Sequence, residues 1–263
     1  MISKYLLEVK FLIDNNGNSP LKCEYVLAYS INKLRSVGQN ATIYDKELDM
    51  YFENRSKVAT LFEIELKNVY FELDKSLAKS ADFIRRTFYR YDWISPRVNL
   101  NGKIIAVDNT KELIKQWDEM KELLKQDYDG EQVIEYINSV DIQMAKKEFY
   151  MLPFLQYLYL GLIFPSIPAK HKAEWYNSRV VELSDFDQTK FEETITFESE
   201  DAQSRRYAIE GKIIEPNDRV KLNKFLGYMY LPKESIHPLE VEVDVEYEHD
   251  DTIINWNFKL IQI

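Results

Sequence analysis

The residues that carry most metal and nucleophilic chemistry are few and widely spaced in this chain. Its 263 residues include three histidines, His171, His237 and His249, and one cysteine, Cys23. None of them has the spacing of a zinc site, and Cys23 alternates with apolar residues as in a buried strand. The sequence therefore predicts no metal site, no disulfide and an inert, buried thiol.

Motifs for phosphate binding and acyl transfer are also missing. The 7 glycines form neither a phosphate loop nor a nucleophile elbow, so the sequence predicts no cofactor and favours a protein that is not an enzyme. A hydrolase with dispersed catalytic residues stays open as an alternative, because a catalytic triad is defined by geometry. Buried carboxylates clustered with His171 or His237 would support it.

Four carboxylates occupy every second position near the C-terminus, and we call them the acidic stripe: Glu240, Glu242, Asp244 and Glu246. Valines lie between them, so a strand here has one wet and one apolar face, with the carboxylates about 7 Å apart. One interpretation is a solvated face that resists edge-to-edge aggregation. The other is a docking surface for a basic partner.

A second candidate surface is basic. Arg85, Arg86 and Arg90 lie on a segment whose apolar residues recur at helical spacing, beside several tyrosines. Arginine next to tyrosine is favoured at protein interfaces, which makes these residues candidates for partner binding. The alternative is an ordinary helix exterior whose arginines pair with nearby acids.

The most apolar part of the chain runs from residue 149 to 167. Its internal prolines, Pro153 and Pro165, are too close together for the roughly 20-residue helix that spans a membrane. We interpret it as buried core. It could instead line a pocket for an apolar ligand, and the candidate lining residues are Phe154, Tyr157, Leu158 and Leu162.

The overall charge narrows the class of partner. With 34 basic and 44 acidic residues, the net charge is −10. Nucleic acids and anionic membrane surfaces are disfavoured as partners, because both are bound through basic groups, whereas a basic protein is attracted.

The first residues lack an apolar leader, so we expect a cytoplasmic protein. The pattern carries no information on oligomeric state.

The elements that must position these residues follow from periodicity. Apolar residues alternate at both chain ends, at about 3–73 and 178–262, and recur at helical spacing in a mainly helical middle at about 76–164. Within that middle, Asn101-Gly102 predicts a two-residue type I′ hairpin turn, and Asn109 with Glu112 predicts a capped helix start. This order predicts a single α+β domain over residues 1–263, in which an extended curved antiparallel sheet of N- and C-terminal strands surrounds the helical segment. Two subdomains split near residue 170 are the alternative.

The leading functional hypothesis is a non-enzymatic intracellular binding protein that engages another protein. One version is an acidic inhibitor or immunity-type protein that neutralises a basic enzyme through the acidic stripe. A carrier of an apolar small molecule, held between sheet and helices, is the second hypothesis, and the hydrolase is the third.

Overall fold

The computed structural model describes residues 2–15, 21–38, 57–73, 75–145, 155–168, 171, 174–184, 187–214, 219–233 and 235–263. Phe154, one of the candidate pocket residues, lies outside these ranges. The described residues contain twelve strands: β1 Ile2–Asn15, β2 Leu21–Gly38, β3 Lys57–Glu72, β4 Trp93–Ile94, β5 Pro96–Asn99, β6 Ile104–Val107, β7 Tyr176–Ser184, β8 Asp187–Glu200, β9 Ser204–Ile213, β10 Val220–Pro232, β11 Glu240–His249 and β12 Thr252–Gln262. They also contain three α-helices: α1 Ala78–Phe88, α2 Thr110–Asp127 and α3 Glu131–Ala145.

All twelve described strands belong to one curved, open antiparallel sheet. The main order is β6-β5-β3-β2-β1-β12-β11-β10-β9-β8-β7, and β4 pairs with β3. Each half of the chain forms its own meander, and the two meanders join where β1 pairs with β12, for example at Val9 opposite Phe258. The predicted α+β class and the extended curved sheet are confirmed.

Alternation decides which side of the sheet each residue faces. Val241, Val243 and Val245 are buried on the inner face, and so are Trp256 and Phe258 on the neighbouring strand. Burying these side chains removes apolar surface from water, which is the dominant favourable term in folding. The predicted wet and apolar faces of the strand that carries the acidic stripe are therefore confirmed.

The helices pack their apolar stripes against the core. α2 buries Leu113, Trp117 and Leu124, as its helical spacing predicts. Asn109 is at the N-cap position, but its side chain makes no capping bond. Its amide instead accepts from the backbone N–H of Ser95 (2.9 Å) and donates to the carbonyl of Trp93 (2.7 Å), tying the start of α2 to β4 and the residue that follows it.

The turn at Asn101-Gly102 differs from the predicted type I′ turn. Only Gly102 has a positive φ (72°), and its N–H donates to the carbonyl of Asn99 (3.0 Å). This is a type I turn followed by a glycine in the left-handed region, a common three-residue hairpin connection. The side-chain oxygen of Asn99 favours it by accepting from the backbone N–H groups of Asn101 and Lys103.

Residues 155–167, which we call the buried connector, form no helix, although the predicted helical middle extended to about residue 164. They form successive turns that are almost entirely enclosed. The backbone N–H groups of Tyr157 and Leu158 donate to the carbonyls of Glu182 and Leu183 on β7, at 3.2 and 3.1 Å. Hydrogen bonding to the sheet satisfies these groups without a helix. The expectation that this segment is buried core is confirmed.

Candidate functional site on the outer face of the sheet

The acidic stripe lies on the outer face of β11, opposite the buried valines. All four carboxylates are partly exposed. Antiparallel register aligns Glu242 with Tyr228 on β10 and with Lys259 on β12, and it aligns Asp244 with Asn257. The placement on one face is as predicted, but each carboxylate has neighbours that hold it.

One tyrosine hydroxyl, with a single proton to donate, lies between two carboxylates. The hydroxyl of Tyr228 is within hydrogen-bond distance of Glu240 Oε1 (3.0 Å) and of Glu242 Oε2 (3.1 Å). Desolvation and these two carboxylates raise the pKa of Tyr228, so it stays protonated and donates. Lys259 Nζ lies 3.8 Å from Glu242 Oε2, the cross-strand pair that strand alternation predicts.

The other two carboxylates are held by a lysine and by amides. Asp244 accepts from Lys224 Nζ (3.0 Å) and from the side-chain amide of Asn257 (2.5 Å). Glu246 accepts from the side-chain amide of Asn223 (3.2 Å). In the described part of the chain, Glu240 Oε2, Glu242 Oε1 and Glu246 Oε2 have no donor, so these three oxygens remain available to a cation.

A groove of about 310 Å³ crosses the outer face beside the stripe. Two adjacent cross-strand rows supply its polar lining. One row reads Lys22, Leu12, Asn255, Glu246, Lys224, and the next contains Lys10, Asn257 and Asp244. Because neighbouring strands are about 4.8 Å apart, Lys22 and Glu246 are separated by roughly 14 Å.

The two walls of the groove carry opposite charge. Lys10 and Lys22 lie on one side, and the amides of Asn255 and Asn257 lie in the middle. Asp244 and Glu246 lie on the other side together with Lys224, which pairs with Asp244 and leaves Glu246 as the unneutralised carboxylate there. Lys22 also pairs with Glu24 at 2.6 Å, which lowers the pKa of that carboxyl. Lys10 is exposed and lies cross-strand from Glu24, whose pKa it also lowers, after the larger effect of Lys22. An occupant would therefore be oriented by charge at both walls.

Sequence reasoning found the stripe but missed the rest of the groove. The missing residues come from β1, β2, β10 and β12, whose side-by-side arrangement depends on pairing between the two ends of the chain. The alternation of β1 and β12 indicates which residues face outward. It does not indicate that Lys10 lies opposite Asn257.

The structure does not unite the three candidate arginines on one surface. Arg85 pairs with Asp82 and Arg86 with Asp127, each at 2.6 Å, as ordinary surface ion pairs. Arg90 is 1 % exposed. Its guanidinium donates to the carbonyl of Thr87 and to the hydroxyls of Tyr136 and Tyr159, at 3.0, 2.8 and 2.6 Å, so a partner cannot reach it.

The candidate pocket residues within the described ranges are Tyr157, Leu158 and Leu162, and all three are fully buried. The ring of Tyr157 packs edge-on against Phe258 (5.3 Å between centroids) and Phe225 (6.1 Å). These contacts are those of packed core.

The histidines of the hydrolase hypothesis have aromatic surroundings. His171 lies 2.5 Å from the hydroxyl of Tyr207 and packs against Trp175, and His237 packs edge-on against Phe62 and Phe164. Burial lowers the pKa of His237 to about 4.

Three further findings bear on chemistry. Cys23 is buried, as expected, and burial raises its pKa to about 11, which keeps it a thiol. Within the described ranges, no group of three or more histidine, cysteine, aspartate or glutamate side chains could hold a metal ion. No helix in those ranges has the length and apolar character needed to cross a membrane.

Comparison with known proteins gives no identity. No protein-family model matches the chain, and no curated protein does. Among solved structures, a chain from the structure described as "Lipid-protein interactions in lipovitellin" aligns with all of this chain and with 25 % of its own length, at 8 % identity and a TM-score of 0.48. That likeness is one of fold outline and carries no functional argument.

A buried ion pair lies on the inner face and was not predicted. Arg179 on β7 donates through Nε to the fully buried Glu193 on β8, and through its two terminal nitrogens to the carbonyls of Phe164 (3.1 Å) and Gly161 (2.8 Å). Burial disfavours the charged guanidinium, but Glu193 outweighs this effect and raises the pKa of Arg179. The sequence contained a signal, because Glu193 occupies the same face as Phe191 and Ile195.

Proposed function

We propose that this chain is a non-enzymatic protein-binding module that docks a partner on the outer face of its sheet. The observation that carries the proposal is the groove with Lys10 and Lys22 on one wall and, on the other, restrained carboxylates of which only Asp244 is paired with a lysine of the lining. A groove that carries both charges can select both the identity and the orientation of a partner. The net charge of −10 adds a long-range preference for basic proteins.

Preorganisation makes the acidic wall suited to this task. Tyr228, Lys224 and Asn257 already restrain the carboxylates, so a partner does not have to immobilise them on binding. Restraint of this kind reduces the entropy lost at an interface. The free oxygens of Glu240, Glu242 and Glu246 then accept hydrogen bonds from a lysine or an arginine.

The groove suits an extended segment of a partner protein better than a whole small molecule. A volume of about 310 Å³ is at the lower limit of ligand pockets, and the groove is open to solvent along its length. The segment would carry a basic residue at the Glu246 side and an acidic residue at the Lys10 side. An inhibitor or immunity-type protein that neutralises a basic enzyme is one biological form of this activity.

Site-specific photocross-linking tests the proposal. Asn255, in the middle of the groove, is replaced by a photoreactive phenylalanine analogue, and a control variant carries the same group at the exposed Leu123 on α2. Exposure to light in a native lysate should link one protein to position 255 and not to position 123. Equal labelling at both positions, or none at either, would contradict the proposal.

The carrier hypothesis makes a different prediction for the same preparation. A carrier purified from its native source should retain an apolar small molecule, which native mass spectrometry would detect as added mass. The enclosed packing of Tyr157, Leu158 and Leu162 leads us to expect the mass of the polypeptide alone.

A further inference from the structure

Strand β7 ends the sheet on one side, and no described residue forms a backbone hydrogen bond with its edge between Tyr176 and Val180. It has nine residues, whereas β6 at the opposite end has four. Short edge strands are one device by which proteins avoid pairing with other chains, and β7 lacks it. No lysine or proline lies at Tyr176, Ser178 or Val180, the three positions whose backbone groups point away from the neighbouring strand β8.

The outward direction of these groups follows from two hydrogen bonds. The carbonyl of Trp175 accepts from the backbone N–H of Phe197 on β8, so the backbone N–H and C=O of residue 175 point toward β8. The carbonyl of Glu182 instead accepts from the backbone N–H of Tyr157 in the buried connector, so the backbone groups of residue 182 point away from β8. Backbone groups alternate along a strand, and therefore residues 176, 178 and 180 present their N–H and C=O groups to solvent.

The unpaired stretch has two defined limits. On its C-terminal side, the buried connector occupies the carbonyls of Glu182 and Leu183. On its N-terminal side, the strand begins at Tyr176. Tyr176 and Val180 are 70 % and 56 % exposed, which places an aromatic and a β-branched side chain beside the free groups.

We propose that β7 pairs antiparallel with β7 of a second copy of this chain, about a two-fold axis at Ser178. This register uses all three outward residues and makes about six backbone hydrogen bonds. It also places Tyr176 opposite the partner's Val180, and aromatic with β-branched residues are favoured cross-strand pairs. A shift of two residues in either direction leaves part of the edge unpaired and separates Tyr176 from the partner's Val180, so this register is the favoured one between two copies.

The expected dimer is weak. One pair of strands buries less than the roughly 1,200 Å² of a standard stable interface. Each copy also carries a net charge of −10, so the copies repel one another. Salt screens that repulsion, and the dimer should therefore tighten as ionic strength rises. This salt response is opposite to the one expected for the docking of a basic partner, and the inference does not depend on the proposed function.

Sedimentation velocity on the full chain tests the inference. Across about a hundredfold range of concentration, the wild type should pass from monomer toward dimer. Ser178→Pro removes an outward N–H and leaves the β7–β8 ladder intact, so it should weaken the dimer at least about tenfold. Ser178→Ala is the matched control, because it keeps the N–H and loses only the contact of the hydroxyl with Glu192 (2.8 Å). A wild type that stays monomeric, or a folded Ser178→Pro protein that dimerises normally, would overturn the inference.

A second variant covers the case in which proline disturbs the fold. Ser178→Cys places a thiol at the two-fold axis, where paired Cα atoms are about 5.5 Å apart, within disulfide range. Mild oxidation should give disulfide-linked dimers, and the buried Cys23 should stay silent. Thr196→Cys, one strand further into the sheet on the outer face, is the control. Equal linkage of both variants, or linkage of Ser178→Cys to a different protein, would refute pairing between copies.

Discussion

At the scale of single residues, the Arg179–Glu193 pair explains how a segment without secondary structure stays in the core. Arg179 neutralises Glu193 and satisfies two carbonyls of the buried connector, those of Gly161 and Phe164. Charges and carbonyls removed from water must be paired, or they oppose folding. The guanidinium therefore fixes the connector to the edge of the sheet.

A double-mutant cycle measures this coupling. Arg179→Met should lower the free energy of unfolding by about 3–5 kcal/mol, because it leaves Glu193 as an uncompensated buried charge. Combining it with Glu193→Leu should cost clearly less than the sum of the single changes, with a coupling of about 0.5–3 kcal/mol. Lys212→Met, which breaks the exposed pair with Glu192 on the adjacent strands, should cost less than about 1 kcal/mol. Additive losses in urea titrations would rule out the coupling.

Also at the residue scale, His237 should make stability depend on pH. Burial lowers its pKa from 6.5 to about 4, so the unfolded chain binds a proton more readily than the folded one. The stability that depends on a neutral His237 is therefore complete above pH 6.5. As pH falls toward 4, the free energy of unfolding decreases by up to about 3 kcal/mol. His237→Asn should remove that part of the pH dependence, whereas His249→Asn in the C-terminal hairpin should not. Urea titrations at several pH values between 4 and 7 measure it, and equal pH slopes for wild type and His237→Asn would refute it.

At the scale of elements, the C-terminal hairpin is closed by an unusual pair of residues. Asp250 and Asp251 have φ values of 47° and 62°, so both occupy the left-handed region that a type I′ turn requires. The turn is two residues long, between His249 and Thr252. Arg219 holds the turn by donating through Nε to Asp250 (2.7 Å).

Glycine at the second turn position should stabilise the protein. Asp251→Gly removes the steric penalty of a positive φ, and we expect the free energy of unfolding to rise by about 0.5–1 kcal/mol. Asp251→Asn makes the same change in charge while keeping a side chain, so the difference between the two variants isolates the backbone effect. Thermal melting measures both, and a lower melting temperature for Asp251→Gly than for Asp251→Asn would contradict the assignment.

Local patterns predicted the elements well where one face of each is dry. The alternation of Val241–Tyr247 and the helical spacing of Leu113, Trp117 and Leu124 both correspond to observed elements. The buried connector was misjudged, because an apolar run without periodicity does not distinguish a helix from packed turns. A side chain at Gly161 would collide with the carbonyl of Leu155, a constraint that only the folded backbone reveals.

At the scale of the whole molecule, the pairing of β1 with β12 determines both the fold and the candidate site. It joins the two meanders into one sheet and brings Lys10 and Leu12 beside Asn257 and Asn255. The sequence predicted the curved sheet, because both chain ends alternate. It could not predict the groove, because register between distant strands depends on the packing of the whole inner face.

The surroundings of the acidic stripe also change what charge reversal should do to stability. From the pattern alone, removing like charges relieves repulsion. In the structure, Glu242 is near Lys259 and Asp244 pairs with Lys224, so lysines at these positions would replace attraction with repulsion. We therefore expect Glu242→Lys with Asp244→Lys to fold with a modestly lower melting temperature.

The most direct test of the docking proposal is the association rate of this double variant with the partner captured through position 255. A control with the same change in net charge carries Glu198→Lys and Glu200→Lys, at two exposed positions at the C-terminal end of β8. In stopped-flow or surface-binding kinetics at about 20 mM salt, the stripe variant should associate at least about tenfold more slowly than wild type, and the gap should narrow at about 150 mM salt. The control should stay within about threefold of wild type. Equal rates for the two variants at low salt would contradict the proposal that the acidic stripe and its groove bind the partner.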